Sequence, residues 1–135
     1  MSRKSQNQRR LADIHLLGRL AKQHYISGDY ESLCALCDRV QDLRVQIAMT
    51  KIVADVQEAW DAEMLMRTLM VQTLIDNLRD TRRKLIQNSA SYDHAEVLKR
   101  LDVIEGNIES IVGNSKLLYS VKEEASKIRG YCNEV

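Results

Sequence analysis

One spacing in the sequence matches known site chemistry, the C-x-x-C formed by Cys34 and Cys37. Such a pair binds zinc or exchanges disulfides when further ligands or a strand-to-helix turn accompany it. Neither a second C-x-x-C nor an H-x-x-x-H is present, and both cysteines lie near Leu33 and Leu36 on an apolar stripe. We therefore expect two buried or half-buried free thiols.

No other residues have the spacing of a catalytic or ligand-binding motif. His15, His24 and His94 are scattered along the chain without an H-E-x-x-H, so we expect them at the surface or at an interface. The sequence also has no Gly-rich phosphate loop, G-x-S-x-G elbow or E-x-x-H pair. We assign no catalytic, cofactor-binding or metal-binding residue and expect a protein that is not an enzyme.

The composition is typical of all-helical and coiled-coil proteins. The 135 residues include no Pro, no Phe and only five Gly, and 29% are charged. The net charge of +1 argues against strong non-specific nucleic-acid binding. No run of 18 apolar residues or signal peptide is seen, and the three cysteines fit a reducing compartment. We expect a cytoplasmic protein whose partners are proteins.

Residues 1–10 are polar and basic, with no apolar side chain after Met1, so we predict a flexible tail. Its cations are either simply solvated or contact an anionic surface such as lipid headgroups, an acidic protein tail or RNA. The candidate contact residues are Arg3, Lys4, Arg9 and Arg10.

Helix periodicity begins after this tail. Apolar residues at spacings of three and four predict a first helix over residues 11–26. Gly28 suits a left-handed C-terminal cap and Asp29 suits an N-cap. So short a connection predicts an antiparallel hairpin.

A long helix is predicted over residues 30–87, because residues 29–87 contain neither Gly nor Pro. It would be about 85 Å long and would need cover from other helices or from partner chains. Its apolar stripe changes phase near residues 48–52, which leaves its continuity there open. The stripe widens between Met64 and Leu78, which indicates cover from two sides.

Asp93 and Glu96 have the form of a capping box, so a third helix is predicted over residues 94–130, with residues 131–135 frayed. Gly106 and Gly113 indicate either a soft helix or a close approach by a neighbouring backbone. The predicted fold is all-α and elongated: three helices, with a long central helix flanked by two antiparallel helices in a coiled-coil-like arrangement. Its exposed apolar edges favour a homo-oligomer or a protein partner.

The first candidate partner-binding residues are Trp60 and, from the widened stripe, Met64, Met66 and Met70. Trp60 lies either in a core or seam or at an exposed position that anchors a partner. The basic cluster at residues 79–84 either compensates the helix dipole in solvent or contacts an anion or a partner.

Three segments carry a family resemblance: LAKQHYISGDYESLCALCDRVQDLRVQ at residues 20–46, its continuation at residues 44–66, and VLKRLDVI at residues 97–104. The first two resemble the helical hairpin and second helix of the charged multivesicular body (ESCRT-III) proteins, and the third is similar to their L-x-x-R-L-x-x-L motif. The resemblance implies a membrane-remodelling filament subunit with its basic N-terminal half against lipid. It also implies that Val97, Arg100, Leu101 and Ile104 dock on a disassembly ATPase.

The expected function is that of a helical scaffold or assembly subunit that acts through protein–protein contacts and self-association. Two alternatives remain open: the ESCRT-III-like filament subunit, and a cytoskeleton-associated or large-complex structural component. The cytoplasmic location leaves room for peripheral contact with a membrane or a filament.

Overall fold

The computed structural model describes residues 2–111 and 115–134, and within these ranges the chain is all-α, as predicted. The described residues form five α-helices, not the predicted three. Their bounds are α1 Arg3–Ser27, α2 Tyr30–Ala48, α3 Val53–Gln87, α4 His94–Ile111 and α5 Ser115–Glu134, with a short 3₁₀ helix at Ser89–Ser91. None of the helices in the described ranges is long and apolar enough to cross a membrane.

The turn between α1 and α2 forms as the sequence predicts. Gly28 has a φ of 72°, a left-handed conformation that ends α1 at little steric cost. The Asp29 side chain then caps α2 by accepting hydrogen bonds from the Ser32 backbone N–H at 3.1 Å and from Ser32 Oγ at 2.6 Å. The two caps fold α2 back along α1 in an antiparallel hairpin.

The prediction of one helix over residues 30–87 is wrong, because α2 ends at Ala48 and α3 begins at Val53. The Thr50 hydroxyl donates to the carbonyl of Ile47 at 2.6 Å, and Lys51 has a φ of 59°. The break coincides with the change of phase in the apolar stripe. The apolar residues before and after the break point in different directions on a straight helix. Because the chain turns at residues 49–52, both sets can face the core.

Helix α1 begins eight residues before the predicted start. Ser2 caps it by accepting from the Ser5 backbone N–H at 3.1 Å. Asn7 is fully buried, and its Nδ2 donates to Thr50 Oγ1 at 2.8 Å and to Asp55 Oδ2 at 3.1 Å. The predicted flexible tail is therefore part of the folded structure from Arg3 onward, held by polar rather than apolar contacts.

The predicted helix over residues 94–130 is two helices, α4 and α5, although Asp93 caps the first as expected. Arg129 Nη2 of α5 lies 2.7 Å from Asp102 Oδ1 and 3.1 Å from Glu105 Oε2 of α4, so the two helices are in contact. Helix α5 continues to Glu134, past the predicted point of fraying. Apart from the neighbouring backbone of its own helix, nothing lies within 4 Å of the position of a Cβ at Gly106, which argues against a close approach by another backbone there. Gly113 lies outside the described residues.

The chain divides into two compact units, Met1–Met70 and Val71–Val135, and α3 contributes one part to each. The core of the first unit is formed by Leu11, Ile14, Leu17, Ala21, Leu33, Leu36, Cys37, Val40, Ile47, Ala59, Met66 and Met70. The core of the second unit is formed by Val71, Leu74, Ile75, Leu78, Leu85, Leu101, Ile108, Val121, Ala125, Ile128 and Cys132. The apolar stripe of α3 is wide because it serves two cores: Met66 and Met70 are buried in the first unit, and the buried residues from Val71 onward lie in the second.

Candidate protein-binding surface on α2 and α3

The buried carboxylate of Glu63 pairs with side chains of both α2 and α3. Glu63, on α3, is 1% exposed and pairs with two arginines. Arg44 reaches it from α2, and Arg67 places Nη2 2.8 Å from Glu63 Oε1 from the next turn of α3. Since an isolated charge in a core is very unfavourable, these contacts are what allow Glu63 to be buried.

Arg44 connects this carboxylate to the only tryptophan. Its guanidinium lies 4.5 Å from the centroid of the Trp60 ring, a cation–π contact, while its Nε donates to Glu63. The Trp60 side chain remains 45% exposed. One part of the indole is thus held by the protein, and another is open to solvent.

Trp60 belongs to an apolar stripe along α3. Val53, Val56, Trp60 and Met64 are spaced three, four and four residues apart, so they share one side of the helix. Val53 is 80% exposed, and Val56 and Met64 are half-buried. We call these four residues the Trp60 surface.

The charges beside the Trp60 surface compensate one another. Arg44 and Arg67 carry two positive charges and share the single carboxylate of Glu63. Asp61, which accepts a hydrogen bond from Gln57 Nε2 at 2.8 Å, supplies the second negative charge. An apolar stripe with a half-exposed tryptophan and a neighbouring arginine has the residue types that concentrate binding energy at protein interfaces.

The structure separates the other predicted partner-binding residues. Met66 and Met70 are 2% and 3% exposed in the first core, and Leu101 is 2% exposed in the second, so none of the three is available to a partner in this conformation. Val97 and Ile104 are half-buried on α4. Arg100 is exposed and pairs with Glu96 at 3.4 Å.

The predicted anion-contacting residues do not form one face. Arg3, Lys4 and Arg9 are exposed on α1, whereas Arg10 is half-buried and donates from Nη1 to Asn7 Oδ1 at 3.1 Å. At about 100° per residue, Lys4 and Arg9 point away from each other and from the side shared by Arg3 and Arg10. The basic residues are therefore distributed around the helix.

The basic cluster on α3 is neutralised within the second unit. Arg79 and Arg82 lie 3.2 and 3.4 Å from the buried Glu124 of α5. Arg83 and Lys84 both pair with Asp80, and these contacts, that of Lys84 first, lower the pKa of the Asp80 carboxyl. Intramolecular pairing accounts for all four cations.

The cysteines of the C-x-x-C are free thiols, as predicted, with Cys37 buried and Cys34 half-buried. Burial raises the pKa of both, that of Cys37 to about 12, so neither is a reactive thiolate at neutral pH. Among the histidines, His15 lies 3.5 Å from Glu58 and His24 lies 3.7 Å from Asp29. In the described ranges, no three His, Cys, Asp or Glu residues cluster as metal ligands.

Sequence reasoning identified Trp60 but missed Arg44 and Glu63, which position it. The signal for Glu63 was weak: a carboxylate one turn from Trp60 in an apolar stretch. Comparisons of the chain with family models, curated proteins and solved structures found no match. The resemblance to the ESCRT-III proteins gains no support from them and stays a prediction.

Proposed function

We propose that this protein is a non-enzymatic helical scaffold or assembly subunit that self-associates through the Trp60 surface. The observation that carries the proposal is the state of Trp60, which is exposed to solvent yet fixed in place. A buried carboxylate holds Arg44, and Arg44 holds the indole. The indole is thus held in one orientation while 45% of the side chain stays exposed to a partner.

Preorganisation explains why such an arrangement favours binding. Ordering a rotamer-rich side chain at an interface costs about 0.5–1.5 kcal/mol, and a side chain that is already fixed avoids most of that cost. A tryptophan covered at the centre of an interface commonly contributes about 2 kcal/mol or more. The Trp60 surface combines both advantages with apolar neighbours on the same side of α3.

A second copy of the chain is the partner that the charges favour. In a two-fold symmetric contact, the same surface patch faces itself, so an excess of one charge would repel. Arg44 and Arg67 carry two positive charges and Glu63 and Asp61 carry two negative ones, so these charges beside Trp60 sum to zero. An apolar stripe with balanced charges is compatible with its own copy.

Light scattering after size-exclusion chromatography, repeated over a range of protein concentrations, tests the proposal. We expect the mass to rise toward that of a dimer or larger assembly, and we expect Trp60→Ala to shift this rise to higher concentration. Tyr119→Ala is the matched control, since Tyr119 is 67% exposed but belongs to the second unit. A monomer at every concentration, or equal effects of the two variants, would contradict the proposal.

A further inference from the structure

In the first unit, the sulfur atoms of Cys34 and Met70, which are far apart in the sequence, are in contact, and Cys37 lies one helical turn from Cys34. Cys34 and Cys37 are three residues apart on α2, and neighbours at this spacing share one side of a helix. The Cys34 thiol lies 3.5 Å from Met70 Sδ of α3. The group therefore comprises two thiols and a thioether from two helices.

We propose that Cys34, Cys37 and Met70 form a binding site for Cu(I). Thiolate and thioether sulfurs are soft donors that select Cu(I) over harder cations. A structural zinc site needs four nitrogen, sulfur or oxygen ligands. In the described part of the chain, no third His, Cys, Asp or Glu joins the two cysteines, so the donor set suits a three-coordinate soft ion better than zinc.

The surroundings provide an entry path and a hydrogen bond. Cys34 is half-buried and reachable from solvent, while Cys37 and Met70 lie beneath the surface. The Tyr30 hydroxyl is hydrogen-bonded to Cys34, which lowers the pKa of that thiol against the larger effect of burial. A donor to a ligating sulfur stabilises the thiolate once the metal is bound.

The binding reaction is balanced without an oxidant or reductant. Each cysteine thiol loses one proton to solvent, two Cu–S(thiolate) bonds form, and the Met70 thioether donates a lone pair. Copper stays in the +1 state, and the site changes from neutral thiols to a complex with one net negative charge. Near Cys37, burial and the negative charges of Asp38 and Glu63 raise the pKa of the thiol, while the positive charge of Arg67 lowers it, so Arg67 offsets only part of the added charge. Because two protons are released, affinity rises with pH.

Anaerobic titration of the reduced protein with Cu(I), in competition with a chromogenic Cu(I) chelator, tests this proposal. We expect one ion per chain, with near-ultraviolet thiolate-to-copper absorption. Removing a partner of a metal ligand typically lowers affinity by about 10- to 100-fold. Since Cys34→Ser removes a thiolate ligand itself, it should lower the affinity by about 100-fold or more, and Met70→Leu, which removes the weaker thioether ligand, by about 10-fold. Cys132→Ser is the matched control, because Cys132 is a buried thiol of the second unit and should leave the affinity unchanged.

Several outcomes would overturn the proposal. One is complete loss of copper to the chelator, and another is a stoichiometry that falls in Cys132→Ser as it does in Cys34→Ser. An unchanged affinity for Cu(I) in Met70→Leu would show that the Met70 thioether is not a ligand. Circular dichroism of each variant before titration separates loss of binding from loss of folding, and the half-buried Cys34 gives the variant that least disturbs the core.

Discussion

Replacing Glu63 by Gln tests the buried ionic cluster that supports Trp60. The substitution keeps the side-chain volume and removes the charge that pairs with Arg44 and Arg67. Breaking a fully buried ion pair costs about 3–5 kcal/mol, because one charge is left uncompensated. The arginine side chains are 18% and 21% exposed, so water can partly solvate them. We therefore expect a loss of about 2–3 kcal/mol in the free energy of unfolding.

Urea unfolding followed by circular dichroism and by Trp60 fluorescence measures this loss. The midpoint should fall at a nearly constant m-value, since the surface exposed on unfolding is unchanged. The native fluorescence spectrum should also change, because Arg44 is released from its anchor beside the indole. This second readout distinguishes the loss of a positioning contact from general destabilisation.

Glu96→Gln serves as the matched control. Glu96 pairs with Arg100 on the surface of α4, where the two side chains are 52% and 77% exposed. Exposed pairs of this kind contribute little, so we expect a change below about 0.5 kcal/mol. A loss below about 1 kcal/mol in Glu63→Gln, or an unchanged native emission spectrum, would refute the role assigned to Glu63.

Three further outcomes are expected. Asn7→Ala should lower the free energy of unfolding by about 1–3 kcal/mol in urea titrations, because Thr50 and Asp55 lose a buried hydrogen-bond partner. An unchanged free energy of unfolding would indicate that the start of α1 is a flexible tail. A thiol reagent at pH 8 should modify Cys37 far more slowly in the folded protein than in urea, since burial raises the pKa of this thiol from 9.0 to about 12. Peptide mass spectrometry measures both rates, and equal rates would contradict the burial of Cys37. The hydrogen bonds from Ser32 lower the pKa of Asp29 below its ordinary value of 3.8, so the stability that Asp29 contributes is present above pH 3.8 and is lost as the pH falls through the lowered pKa. Acid unfolding curves of Asp29→Asn should therefore show a weaker pH dependence below pH 3.8 than those of the parent protein. Identical curves would contradict the role of Asp29 as a cap.

Local signals were enough to locate the caps and much of the core. Gly28 and Asp29 mark a turn through their own backbone and side-chain preferences, and Asp93 marks a helix start in the same way. The stripe that includes Leu33 and Val40 is buried as its spacing indicates. These features depend on residues close together in the chain, which is why the sequence shows them.

The change of phase in the apolar stripe marked the position of the break at residues 49–52 but did not establish a turn there, because the segment contains no Gly or Pro. Lys51 adopts a φ of 59°, which its own preferences disfavour, so tertiary packing must stabilise the turn. The start of α1 was missed for a similar reason. Asn7 is buried through contacts with Thr50 and Asp55, which are distant in sequence.

The site depends on this break. In a continuous helix, Arg44 and Glu63 would lie about 28 Å apart, and Cys34 and Met70 more than about 50 Å apart. The turn at residues 49–52 brings both pairs into contact. A sequence interpretation with one long helix could therefore identify Trp60 as an isolated candidate but could not assemble its supporting residues.

The emission of Trp60 as a function of protein concentration tests the central claim most directly, because this residue is the only tryptophan and is 45% exposed in the single chain. If a second copy covers the Trp60 surface, the emission maximum should move to shorter wavelength and quenching by acrylamide should decrease between about 0.1 μM and about 100 μM, a range that spans moderate dimer affinities. Emission and quenching that stay constant over this range would contradict self-association through Trp60.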